Sequence, residues 1–171
     1  AWYGPPGQTT AILNAVLSGQ WDLDAARDQI EHAEDMAWMR IEIIRAQRSK
    51  DPKRMLAAGE KLGVLGARLG EGERQEMLAF ADAVCGRGGV FDLRQHPELA
   101  RLARELAYRA ASDETTDPRV LAVLARTRFA TGDKEDAAAL ARRALEILGG
   151  KVPTDIDLLE ELKKDFDRYS S

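Results

Sequence analysis

The chain is poor in the residues that most often carry chemistry: one cysteine, Cys85, two histidines, and aromatics at only 6%. A single thiol excludes an intrachain disulfide and a Cys-x-x-Cys redox pair. His32 and His96 are far apart in sequence, and zinc sites need more convergent nitrogen or sulfur ligands. There is no basic excess: the net charge is −4, with acidic and basic residues interspersed. That composition excludes the basic stripe of a nucleic-acid surface and gives no polybasic membrane footprint. No apolar run approaches the length of a membrane span, and no signal peptide is visible. No segment sustains two-residue alternation, so no sheet is expected. The chain starts at Ala1 without methionine and reads as a fragment lacking its natural beginning.

What remains is helix-forming. Hydrophobic residues make up 44% of 171 positions, enough for one domain or two small ones sharing a core. Alanine, leucine, arginine and glutamate dominate, all strong helix formers. We expect an all-α fold of eight helices paired antiparallel through short loops. After a turn-rich start, Thr9 or Thr10 caps a short helix whose apolar face is Ile12, Leu13, Val16 and Leu17, closed by Gly19. Asp22 caps the longest helix, over 23–48. Ile30, Ala33, Ala37, Ile41 and Ile44 recur there at three- and four-residue steps and predict its buried stripe, widened by Met36, Trp38 and Met39. His32, with Asp28 and Asp35, falls on the opposite face.

Asp51-Pro52 is a cap followed by proline at the first helical position, opening a third helix to about residue 69. Its core stripe is Ala58, Leu62, Leu65 and Leu69. Beside it run Gly59, Gly63, Gly66 and Gly70. Each interior glycine costs about 1 kcal/mol against alanine, so the glycines imply that another backbone comes close there or that the helix is irregular. A fourth helix spans 72–85 and stops at Gly86-Arg87-Gly88-Gly89. Pro97 opens the fifth, to residue 111. Asp117-Pro118 opens the sixth and Asp133 the seventh, which ends at Gly149-Gly150. Thr154 caps the eighth, with Asp157 three residues on.

A repeat underlies the second half. Ala103, Ala107 and Ala110 recur 34 positions later as Ala137, Ala141 and Ala144; Leu106 recurs as Leu140 and Arg109 as Arg143. Small residues at such points let stacked helical pairs approach closely. The stretch from Leu121 to Leu145, with Gly132 at its turn, resembles a tetratricopeptide repeat of that length. The preceding pair is degenerate, with about ten extra residues between its helices.

The order of segments resembles the helical extension that ends many bacterial thioredoxin-like (redoxin) proteins. Met77-Leu78-Ala79-Phe80, then Leu99-Ala100-Arg101-Leu102-Ala103, then the repeat from Asp117 to Leu145 follow that order. Trp2-Tyr3-Gly4-Pro5-Pro6-Gly7, the helix to Leu17 and Gly19-Gln20-Trp21-Asp22 are similar to the last strand and closing helix of a redoxin domain. The resemblance implies three regions: the end of a redoxin domain (1–20), a helical connector (21–72) and a tetratricopeptide-like domain (73–171). It implies an extracytoplasmic bacterial location. The family's redox-active cysteine pair lies upstream of this sequence.

Individual residues support no catalytic, cofactor or metal site. Cys85 sits near a helix C-terminus, where the dipole disfavours a thiolate, and reads as inert and partly buried. Gly86 to Gly89 lacks the Lys-Ser or Lys-Thr of a phosphate loop. Glutamates and aspartates are expected on solvent faces. If the repeat resemblance holds, Arg119, Ala122, Arg126 and Phe129 point into a groove. Arg119 and Arg126 either hold an acidic peptide or chain-terminal carboxylate there, as arginine does well, or are two solvated cations. The expected function is a non-catalytic protein–protein interaction module of a thiol–disulfide protein. The alternatives are a structural domain that dimerises or caps that protein, with a homodimer as one form, and a stand-alone helical protein unrelated to redox chemistry. The expected partner is a protein or peptide, with no nucleic acid, no membrane insertion and no cofactor.

Overall fold

A computed structural model describes residues 19, 23–68, 70–86, 88–111, 115–149 and 155–170; of these, the side chains of 23–26 and Arg68 are not described. Among the described residues there are seven α-helices and no strand: α1 (Leu23–Ser49), α2 (Pro52–Leu65), α3 (Glu71–Cys85), α4 (Pro97–Ala110), α5 (Pro118–Ala130), α6 (Lys134–Gly149) and α7 (Ile156–Ser170). The expected first helix, the cap at Asp22, the Trp2-Tyr3 strand remnant and the cap at Thr154 lie outside the described residues. The chain divides into two compact units, Ala1–Ala37 and Trp38–Ser171, with the division inside α1. Residues 38–72, expected as connector, thus fall in the same unit as 73–171.

Local chemistry sets the boundaries. The Asp51 carboxylate accepts the Lys53 and Arg54 amides at 3.1 Å, and Pro52 stands where no amide donor is needed. Asp117 accepts the Arg119 amide at 2.8 Å before Pro118 and starts α5 the same way. At the start of α7 the Asp155 carboxylate accepts the Leu158 amide at 3.0 Å. Gly132 turns α5 into α6 with a φ of +90°, in the left-handed region that favours glycine.

The stripe expected on α1 is corrected. Ile30, Ile41 and Ile44 are 55%, 43% and 47% exposed, and Ala33 and Ala37 are exposed too. Of the residues expected to widen it, Met36 and Met39 are buried and Trp38 is 50% exposed; Ile43 and Ala46 complete the buried face. Both sets repeat at helical spacing, so periodicity alone cannot choose between two apolar faces of one helix. Two glycines of the stripe, Gly59 and Gly66, stand where a side chain would collide. A Cβ at Gly59 would collide with the Phe80 ring and reach within 2.8 Å of Leu102. The close neighbour is therefore a ring from α3 and a leucine from α4, not another backbone. After Leu65 the helix tightens to a 3-10 turn, Gly66–Arg68, where a Cβ at Gly66 would meet the Met77 side chain.

From α3 to α7 each helix lies against the next. Contacts also skip one helix, α3 against α5 and α5 against α7. The six alanines of the 34-residue repeat are all buried, none more than 4% exposed. They line the inner faces of α4 and α6, where small side chains allow close helix approach. Tyr169, Leu162 and Leu121 complete the core around α6.

Candidate functional site

The helix α5 sits between α3 and α7, which makes its residues shared property of three helices. Leu121, Ala122, Leu124 and Ala125 bury its apolar side. Arg126 follows on that side and is only 8% exposed. A buried guanidinium must be paired, and all three of its nitrogens donate to carboxylates. Nη1 reaches Asp82 of α3 at 2.7 Å, Nη2 reaches Glu161 of α7 at 2.8 Å, and Nε reaches Asp165 of α7 at 2.9 Å. Asp165 is 2% exposed, which corrects the expectation that acidic residues lie on solvent faces. Burial by itself would lower the Arg126 pKa, but the hydrogen bonds to Asp165 and Asp82 outweigh it and hold it above the ordinary value.

A groove of about 480 Å³ runs along this face. From α3 it takes Leu78, Ala79 and Asp82; from α5, Val120, Ala122 and Val123; from α7, Asp157, Leu158 and Glu161. Arg119 stands at its rim, with a side chain 74% exposed, donating to Asp155 at 2.8 Å. The Leu158 amide and Arg119 together hold the Asp155 carboxyl below its usual range. A second cavity of about 620 Å³ lies beyond Arg126 toward the C-terminal ends of the same helices. Phe129 lines it, stacked on Tyr169 with ring centroids 4.6 Å apart and with Arg168 over its face at 4.6 Å. Cys85 lines it as well; burial, and then the nearby Asp82, push its thiol up to about 12.

The four residues expected in a groove are thus divided by the structure. Arg119, Ala122 and Arg126 line one groove; Arg126 and Phe129 line the next cavity. The role expected of the two arginines is altered, because the chain's own carboxylates already engage both. Nor are they two solvated cations, since Arg126 is buried. The acidic partners escaped sequence reading, although a signal exists. Leu162, Asp165 and Tyr169 share one stripe of α7, so an aspartate stands at a core position and requires a buried cation.

Among the described residues, no group of three His, Cys, Asp or Glu side chains is placed to hold a metal ion, and no helix is long and apolar enough to cross a membrane. His96 precedes α4 with its ring 3.3 Å from Glu98 and makes no side-chain cap. Compared with known proteins, the chain matches no family model, no curated protein and no solved structure.

Proposed function

We propose that this chain is a non-catalytic protein–protein interaction module whose residues 73–171 stack as tetratricopeptide-like helix pairs. The observation that carries this reading is the groove on α3, α5 and α7, with apolar side chains open on its floor; in the proposed stacking these are the first helices of successive pairs. The buried alanines at 34-residue spacing support the repeat. A groove between rigid helices offers a partner preformed apolar surface at little ordering cost. Arg126 serves to join the three helices rather than to hold a ligand, since its charge is spent inside the chain. A photo-crosslinking residue at Ala79, on the groove, should capture a partner in cells that make the protein, while one at exposed Ala139 on α6 should not. Equal labelling from both sites, or none, would sink the reading.

A second reading, dimerisation of a parent protein, is favoured by the exposed Trp38, Ile41 and Ile44 on α1. Light scattering after gel filtration separates the two. A mass of one chain over a wide concentration range supports the groove. A mass of two chains that Ile41→Lys returns to one supports dimerisation through α1. Membership of a thiol–disulfide (redoxin-like) protein is part of the proposal and rests on the order of sequence segments. The coding sequence upstream of Ala1 tests it, and a stretch there with no thioredoxin-like segment removes it.

A further inference from the structure

The charge of the groove narrows the chemistry of its occupant. Arg126 carries one positive charge and meets three carboxylates, of which the two that line the groove already outnumber it. Two of them, Asp82 and Glu161, keep side chains 47% and 48% exposed toward the groove. Asp157 adds a further exposed carboxylate on the α7 side. The other guanidinium, Arg119, is tied to Asp155 at the rim. An acidic ligand would have to pull both arginines from their carboxylates and would face the excess negative charge. A basic one would meet only unspent acceptor capacity, since an ionised carboxylate can take several hydrogen bonds. Between these rims, Leu78, Val123 and Leu158 form a floor suited to an aliphatic side chain.

We propose that the groove receives a basic segment of a partner protein, with an aliphatic residue on that floor and a flanking Lys or Arg paired with Asp82, Asp157 or Glu161. The proposal rests on the reading of the chain as an interaction module and reverses the acidic-peptide preference that two arginines on one helix suggest. Charge complementarity of this kind sets specificity and encounter rate more than raw affinity, so binding weakens as salt rises.

The test is selection of a phage library of random dodecapeptides on the immobilised full chain, followed by fluorescence anisotropy with the selected peptides. Ala79 is exposed and mid-helix, so Ala79→Arg keeps a good helix former while placing bulk and positive charge in the groove. Peptides that lose binding to Ala79→Arg should carry Lys or Arg beside Leu, Ile or Val. Asp157→Asn should weaken them by roughly threefold at low salt, the size expected for one charge at about 6 Å in a watery surround, and the difference should vanish in high salt. Acidic peptides whose binding responds to Ala79→Arg would overturn the charge inference and leave the interaction module standing. Peptides that bind but ignore Ala79→Arg would show that the groove is not the docking surface, although the chain still binds peptides. If no peptide is enriched at all, neither reading survives.

Discussion

Replacing Arg126 by alanine is expected to damage the fold before it touches any ligand. The variant withdraws the guanidinium that Asp82, Glu161 and Asp165 share across α3, α5 and α7. Their shares differ. Asp82 and Glu161 have half-exposed side chains, and water screens what they lose, so each contributes little, as surface pairs do. Asp165 is 2% exposed and cannot recruit water as a substitute. Removing a charged partner from such a buried group costs roughly 3 to 5 kcal/mol. For a chain of this length that corresponds to a fall in Tm of roughly 6 to 20 °C. Urea unfolding followed by circular dichroism reads the free energy directly. The double variant Arg126→Met, Asp165→Leu removes both buried charges and should recover most of the loss, because apolar replacement of a buried pair is often neutral. A cost for Arg126→Ala within about 0.5 kcal/mol, the range of ordinary surface changes, would refute the reasoning. If the double variant were as unstable as the single one, the cost would lie in lost packing rather than in an uncompensated charge.

Two glycines of α2 should respond with opposite signs to the same change. Gly63→Ala places its Cβ at 3.4 Å from Leu106, an ordinary contact, and should stabilise by up to about 1 kcal/mol through helix propensity. Gly59→Ala drives a Cβ into the Phe80 ring and should destabilise by roughly 1 to 3 kcal/mol; urea midpoints that move together for both variants contradict this packing. With its thiol pushed up to about 12, Cys85 should react with a thiol-specific disulfide reagent at pH 8 at least ~100 times more slowly in the native chain than after unfolding, since only the thiolate attacks. Equal rates would mean that the thiol is open. Asp155 has a depressed pKa when folded, so its stabilising effect is present above the unfolded carboxylate value of about 4 and is lost as pH falls through the lower folded value. Acid should therefore weaken the start of α7 in that range. In Asp155→Asn this component of the acid response should disappear, as read by the pH dependence of the urea midpoint; an unchanged profile argues against this role of Asp155.

Much of the fold was legible because it depends on chemistry local to each segment. Asp51-Pro52 and Asp117-Pro118 start helices by satisfying their own first amides, and Gly132 turns where only a positive φ fits. The alanine repeat marked two faces that are buried, where small side chains permit close approach. The isoleucines of the α1 stripe were misplaced because Ile30, Ile41 and Ile44 recur at helical spacing just as Met36, Met39, Ile43 and Ala46 do, and the pattern does not state which face finds a neighbour. The site was legible only in outline. Arg119, Ala122, Arg126 and Phe129 could be placed on one helix from their spacing, but their electrostatic roles could not. Asp82, Glu161 and Asp165 lie 44, 35 and 39 positions from Arg126 in sequence. Helix type, capping and the repeat follow from interactions within a few residues, so the sequence by itself determined them. Which apolar face is buried and which charges are already spent depend on partners brought together by folding, so only the tertiary structure decided them. It turned two arginines that read as a grip for anions into the buried brace and tied rim of an acidic groove.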